Sequence, residues 1–216
     1  MVRGAWKDSV VDSGKVVGRP PGRPRQDGQE SGRDRLIKVA RSEFGRRGYA
    51  ATSIEELVTM ADVSSPTLYH HFDNKLGLFV AAAFDAYDRT LAAMSDAVAP
   101  EASFEEAMLA IIDRGIVLMR DEPELAMMIT TMQFELRRDP ELARHLRPAL
   151  VEFREFFDGL AARAPKELRP TPAATRDLSH LLIAMMAGLA TESLLMSRNA
   201  DVTNMFEALR RMVTAR

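Results

Sequence analysis

The chain has 216 residues, 46% of them hydrophobic, and a formal net charge of −2. That is enough chain and apolar content for one or two domains with a substantial core. The absence of cysteine excludes disulfides and thiolate chemistry.

Residues 1–30 lack helical or strand periodicity and are rich in Gly, Pro and charge, so they are expected to be a disordered arm. Residues 1–50 carry 12 Lys/Arg against 6 Asp/Glu, while the rest carries 17 against 25. A basic leading segment on an acidic body suits a protein of which one end approaches phosphates. Within the arm, Gly18-Arg19-Pro20-Pro21-Gly22-Arg23-Pro24-Arg25 resembles an AT-hook. Arg23 and Arg25 are the residues expected in an A·T-rich minor groove, whose narrow width and negative potential suit a guanidinium. The alternative is a leader that contacts nothing. The N-terminus has no apolar signal core.

Leu36, Ile37, Ala40 and Phe44 then share one helical face. Gly48 suits a left-handed C-cap, with Tyr49 folding back on Phe44. Ser53 and Glu56 predict a capping box, and Ile54, Leu57, Val58 and Ala61 follow at i, i+3, i+4 and i+7. Asp62 tolerates left-handed backbone and can make the next turn, although Gly would do so at lower cost. Ser64 predicts a second cap, with Pro66 in the first turn and Val63 and Leu68 as a hydrophobic staple. The helix from Ser65 to about His71 turns Leu68 and Phe72 inward, leaving Ser65, Pro66, Thr67, Tyr69 and His70 outward. Two short capped helices joined by a tight turn outline a helix-turn-helix, with a plain solvated hairpin as the alternative. Asp73 or Asn74 then caps a longer helix with Phe79, Val80, Ala83, Phe84 and Tyr87 on one side.

The run Phe44-x-x-x-Gly48-Tyr49-x-x-Thr52-Ser53-Ile54-x-x-Leu57, then Ala61-x-Val63-Ser64, then Thr67-Leu68-Tyr69-x-His71-Phe72-x-Asn74-Lys75 resembles the TetR family of bacterial transcriptional regulators. Two positions depart from the family pattern: Asp62, where Gly is usual, and Gly77, where an acidic helix former is common. On this reading the helix beginning at Ser65 lies in the major groove of a double-stranded DNA operator. Ser65, Thr67 and His70 are expected at base edges, Pro66 against a thymine methyl, and Tyr69 and Lys75 on phosphates. Thr52 and Ser53 open the preceding helix, whose N-terminus favours anions, and are expected to hold the DNA backbone.

The remainder reads as helices throughout. Ser103 and Glu106 form another capping box, Asp121 is expected to cap a helix through Leu125 and Leu136, and Asp139-Pro140 opens a long one that Pro148 could kink. After Pro165–Pro172 come helices over about 174–197 and 200–214, the last carrying Val202, Met205, Phe206, Leu209 and Val213. Leu181 to Ala190 is apolar all round, as in a helix covered on every side, and is about half the length a membrane span needs. The apolar faces of these two helices exceed what one small domain would cover, and the resemblance implies that they pair with their mates in a homodimer.

Thirteen methionines invite two readings, ordinary core or an adaptable cavity wall. The resemblance implies a cavity for a small apolar or amphipathic inducer. Its expected lining is Met128, Met132, Phe153, Phe157, Leu182, Met185 and Met186, with Arg114, Gln133 and His180 as polar anchors. Enzymatic readings find no support: no phosphate loop, metalloprotease or nucleophile-elbow motif is present, and no cofactor or metal is expected. The expectation is thus an all-α, cytoplasmic, ligand-responsive repressor. Its parts are an arm over 1–30, a three-helix helix-turn-helix domain over 31–75, and a helical ligand-binding and dimerisation domain over 76–216. An architectural DNA binder without an inducer, or a helical carrier of hydrophobic molecules, are the alternatives.

Overall fold

Helix boundaries follow the capping chemistry closely. The computed structural model describes residues 30–215, and these form α1 (Gly32–Ala51), α2 (Ile54–Met60), α3 (Ser65–Phe72), α4 (Lys75–Ala97), α5 (Phe104–Asp121), α6 (Pro123–Arg138), α7 (Pro140–Ala161), α8 (Pro172–Leu195) and α9 (Asn199–Thr214), with no strand among them. The Arg-Pro run, with Arg23 and Arg25, lies outside the described residues. Both capping boxes form, at Ser53 with Glu56 and at Ser103 with Glu106. Asp139 accepts from the Glu141 and Leu142 amides, and Asn74, rather than Asp73, caps α4 through the Gly77 amide at 2.9 Å.

Three expectations change. Asp121 ends α5 instead of capping α6, because its carboxylate is tied to Arg120 and Pro123 starts α6 at a position needing no amide hydrogen. The helix through Pro148 is continuous from Pro140 to Ala161. Gly48 has positive φ but a fully extended ψ (79°, 169°), so α1 breaks there without a left-handed cap. That extended region with positive φ is open essentially to glycine alone. The Phe44–Tyr49 stack nevertheless forms at 5.9 Å, and both rings pack edge-on to Phe79 of α4.

The three N-terminal helices enclose Leu36, Phe44, Leu57 and Leu68, all fully buried, and share that core with Leu78 and Phe79 of α4. They are also locked to the rest of the protein through α6. Gly45 lets α1 lie against the Met127–Met128 backbone, and the Thr131 hydroxyl donates to the Gly45 carbonyl at 2.9 Å. Arg41, 4% exposed, pairs with Asp85 of α4 and with Glu124 of α6. Losing Arg41 itself removes the buried centre of this cluster, while Asp85 and Glu124 are each about 30% exposed and keep some hydration.

The C-terminal body has two joined cores. One packs Met94, Met108, Ile111, Phe157, Leu160 and Leu182 together, and the other sets Val202, Phe206 and Leu209 of α9 against Ile112 of α5. Phe206 is therefore internal, with its ring seated over Gly115. Helix α8 differs from its neighbours. Its stretch from Leu181 to Ala190 is apolar all round and the helix is long enough to cross a membrane, yet only 22% of its most hydrophobic window is buried. Leu181 is 62% exposed and Leu195 74%, and Ala184 and Gly188 are exposed between them.

Candidate nucleic-acid interface and internal cavity

The α2–α3 unit is built by short-range bonds. Past the end of α2, Asp62 takes positive φ (51°), its amide reaching Thr59 O and the Val63 amide reaching Val58 O. This is a Schellman closure with Asp in the place usually taken by glycine. Arg35 of α1 clamps the turn, its guanidinium donating to Ala61 O at 2.9 Å and Asp62 O at 3.0 Å. Sequence patterning gave no sign of Arg35's role, because its partners are 26 and 27 residues away.

Helix α3 buries Leu68 and Phe72 and exposes Pro66, Tyr69, His70 and His71, with Ser65 and Thr67 partly exposed. The outward row is thus polar and rich in hydroxyl and imidazole groups. Ser64 Oγ accepts from the Thr67 amide and lies 2.9 Å from Thr67 Oγ1, which fixes the rotamer of a residue in that row. Partial burial, with His70 and Arg33 nearby, holds the His71 imidazole below its ordinary pKa. Ser53 is partly exposed at the start of α2. Thr52 is not: it is 2% exposed and its hydroxyl donates to Gly48 O at 2.9 Å, so this side chain offers no atom to a phosphate and belongs to the core. Lys75 Nζ rests 4.5 Å above the Tyr49 ring, at the edge of the same surface.

The link from α3 to α4 is tight. Asp73 has φ 59° and ψ −43°, and the Asn74 amide closes on Phe72 O at 2.6 Å, making a γ-turn. Gly77 is required beside it, because a β-carbon there would collide with the Phe72 carbonyl. The departure at Gly77 is therefore a packing requirement of this turn.

Behind this surface, α4 to α9 surround a cavity with about 700 Å³ of empty volume, solvent at its mouth included. Gln133, Phe153 and Met186 line it. Met128 and Met132 are fully buried elsewhere, Met128 against α1 at Gly45, and Phe157, Leu182 and Met185 belong to the core packing. His180 is exposed, and neither it nor Arg114 reaches the wall. In their place the wall has Thr90, Gly115, Ile129, Thr130 and Phe206, among others. Burial pushes the Tyr87 hydroxyl up to about 12, and the nearby Gln133 side chain acts in the opposite direction.

A helix-turn-helix followed by a helical body is an arrangement that known proteins share. The family profile described as "Bacterial regulatory proteins, tetR family" matches residues 36–82, and that of the "BetI-type transcriptional repressor, C-terminal" matches residues 104–216, more than half of the chain. The chain belongs to the TetR family. Both profiles describe transcriptional regulators.

Among curated relatives, the transcriptional repressor ComR of Escherichia coli is 36% identical over 101 residues, 46% of each chain. The transcriptional activator FasR of Mycolicibacterium smegmatis is 38% identical over 66 residues, 29% of this chain and 30% of the relative. The chain spans about half or less of the length of these relatives. Among solved structures, the fatty acid degradation regulator FadR from Bacillus halodurans superposes with a TM-score of 0.68 at 18% identity, over 84% of this chain and 97% of that one. GusR of Salmonella enterica gives 0.65 at 20% identity, over 85% and 93%. These similarities establish the fold shared by TetR-family regulators.

Proposed function

We propose that this TetR-family regulator is a homodimeric repressor, released from its operator by a small molecule bound in the cavity. The observation carrying the proposal is the arrangement of α4. Its first turn is joined through the Asp73 γ-turn to α3, and its C-terminal part, at Thr90 and Met94, lines the cavity. A ligand that shifts α4 changes the position of α3, and two α3 helices must be one helical turn of DNA apart to read two half-sites. Helix α6 offers a second connection, with Ile129 and Gln133 at the cavity and Met128 and Thr131 against α1.

In the DNA complex, Ser65, Thr67 and His70 meet base edges and Pro66 a thymine methyl. Tyr69, Lys75 and Ser53 take phosphates, and Arg23 and Arg25 follow the minor groove. The dimer seam is the open face of α8, where Leu181, Ala184, Gly188 and Leu195 expose apolar and small side chains. A protein that acts on DNA in this way works in the cytoplasm. Repression is favoured by the match of the C-terminal half to a repressor profile. An architectural DNA binder has no use for the cavity, and a carrier none for the exposed α3 row.

The test is selection of bound sequences from random DNA by the full chain, followed by a gel-shift titration. A two-fold symmetric site with half-sites about one turn apart is expected. Recovery of no preferred sequence would overturn the proposal.

A further inference from the structure

The first turn of α1 brackets the reading helix. A β-carbon at Gly32 would lie 3.3 Å from Val63 Cγ1 and 3.7 Å from Thr67 Cγ2, so this end of α1 stands against the start of α3. The Arg33 guanidinium lies 5.7 Å over the Phe72 ring, at the other end of α3. Two residues further on, Arg35 Nε donates to Ala61 O at 2.9 Å and its Nη2 to Asp62 O at 3.0 Å.

The corner between α2 and α3 gains from that hold. Asp62 sits at φ 51°, where a residue with a β-carbon is strained, so local sequence alone does not favour the turn. Its closure uses Thr59 O and Val58 O, and the carbonyls that follow, Ala61 O and Asp62 O, are met by Arg35. A guanidinium placed there also faces the negative end of the α2 dipole. Its nitrogens form a planar fork that two adjacent carbonyls can fill, and an ammonium cannot reproduce that geometry. With Nε and Nη2 turned onto the backbone, this side chain is committed to the protein and not to DNA.

We infer that Arg35 is a positioning residue for operator reading: by holding Ala61 and Asp62 it fixes how α3 stands on α2, and so places Thr67 and His70 against base edges while touching no DNA itself. The inference rests on the repressor reading and adds to it a residue that governs sequence discrimination from outside the contact surface.

The test compares the full-length parent with Arg35→Lys, which keeps the charge and loses the fork, and Arg35→Met, which keeps the stem and loses the donors. Each is titrated onto the selected operator and onto a scrambled duplex of equal length, at a temperature where melting curves show the proteins folded. Arg35→Lys should lose at least about fivefold on the operator, the equivalent of one base contact, and less than about twofold on the scrambled duplex. Arg35→Met should lose at least about tenfold on the operator with the parent's salt slope, because no phosphate contact is removed. Adding Asp62→Gly relieves the strain at the corner and should recover most of that loss, as it would not for a missing phosphate contact. If Arg35→Met does not fold, Arg35→Lys with and without Asp62→Gly carries the same comparison. Three results overturn the inference: variants that read the operator like the parent, equal losses on both duplexes with the salt slope reduced by about one, or no recovery with Asp62→Gly. Any of these leaves the repressor reading standing. A parent that selects no sequence from random DNA refutes that reading, and the role of Arg35 falls with it.

Discussion

Gly77→Ala sets helix propensity against tertiary packing, and the two predict opposite signs. In a helix interior, alanine is favoured over glycine by about 1 kcal/mol. Here the new β-carbon would lie 3.1 Å from the Phe72 carbonyl carbon and still closer to its oxygen, and both are backbone atoms that no rotamer change can move. Making room means opening the γ-turn, which draws Phe72 O away from the Asn74 amide (2.6 Å) and the Asn74 cap away from the Gly77 amide (2.9 Å). Each of these bonds contributes about 1 kcal/mol. Phe72 is 6% exposed, and partial withdrawal of its ring from the core costs about 1 kcal/mol more. Set against the propensity gain, the net destabilisation is about 2 kcal/mol, or roughly 4–8 °C in Tm for a protein of this size. Differential scanning calorimetry measures it directly. Operator affinity should fall as well, because α3 moves with Phe72. A Tm equal to or above that of the parent would refute the close approach at Gly77 and leave propensity as the governing term.

Four further outcomes are expected. Asp62→Gly should raise stability by about 1 kcal/mol in urea unfolding, because Asp62 occupies left-handed backbone that costs a residue with a β-carbon about that much. Lys75→Ala should weaken operator binding across all sequences and reduce the salt slope by about one, whereas Thr67→Ala should relax preference at particular base pairs, both read from gel-shift titrations. Leu181→Asp should dissociate the dimer in sedimentation, since Leu181 is exposed in the protomer; Phe206→Asp should unfold it instead, since Phe206 is internal. His71 has a lowered pKa in the fold, so the unfolded chain binds more protons than the folded one as pH falls below the ordinary histidine value of about 6.5. Stability from this group is complete above that pH and declines below it, and His71→Gln should flatten the decline in Tm before carboxylates begin to protonate.

What could be read from sequence was governed by bonds spanning three or four residues. The capping boxes at Ser53 and Ser103, the caps at Ser64, Asn74 and Asp139, and the left-handed Asp62 all involve close neighbours, so they are visible in the order of side chains. Periodicity likewise separates the buried Leu68 and Phe72 from the exposed Tyr69 and His70 on one short helix. Together these made the helix-turn-helix and the TetR family legible. Periodicity, however, assigns a residue to a face of its own helix and says nothing of what covers that face. Met128 and Gln133 lie on the same helix, but Met128 meets α1 across Gly45 while Gln133 borders the cavity. The clamp of Arg35 and the buried, unpaired hydroxyl of Thr90 depend on which helices lie against α1 and α4. Those arrangements are set by contacts between residues tens of positions apart, where packing of the whole core chooses the partner and local sequence does not.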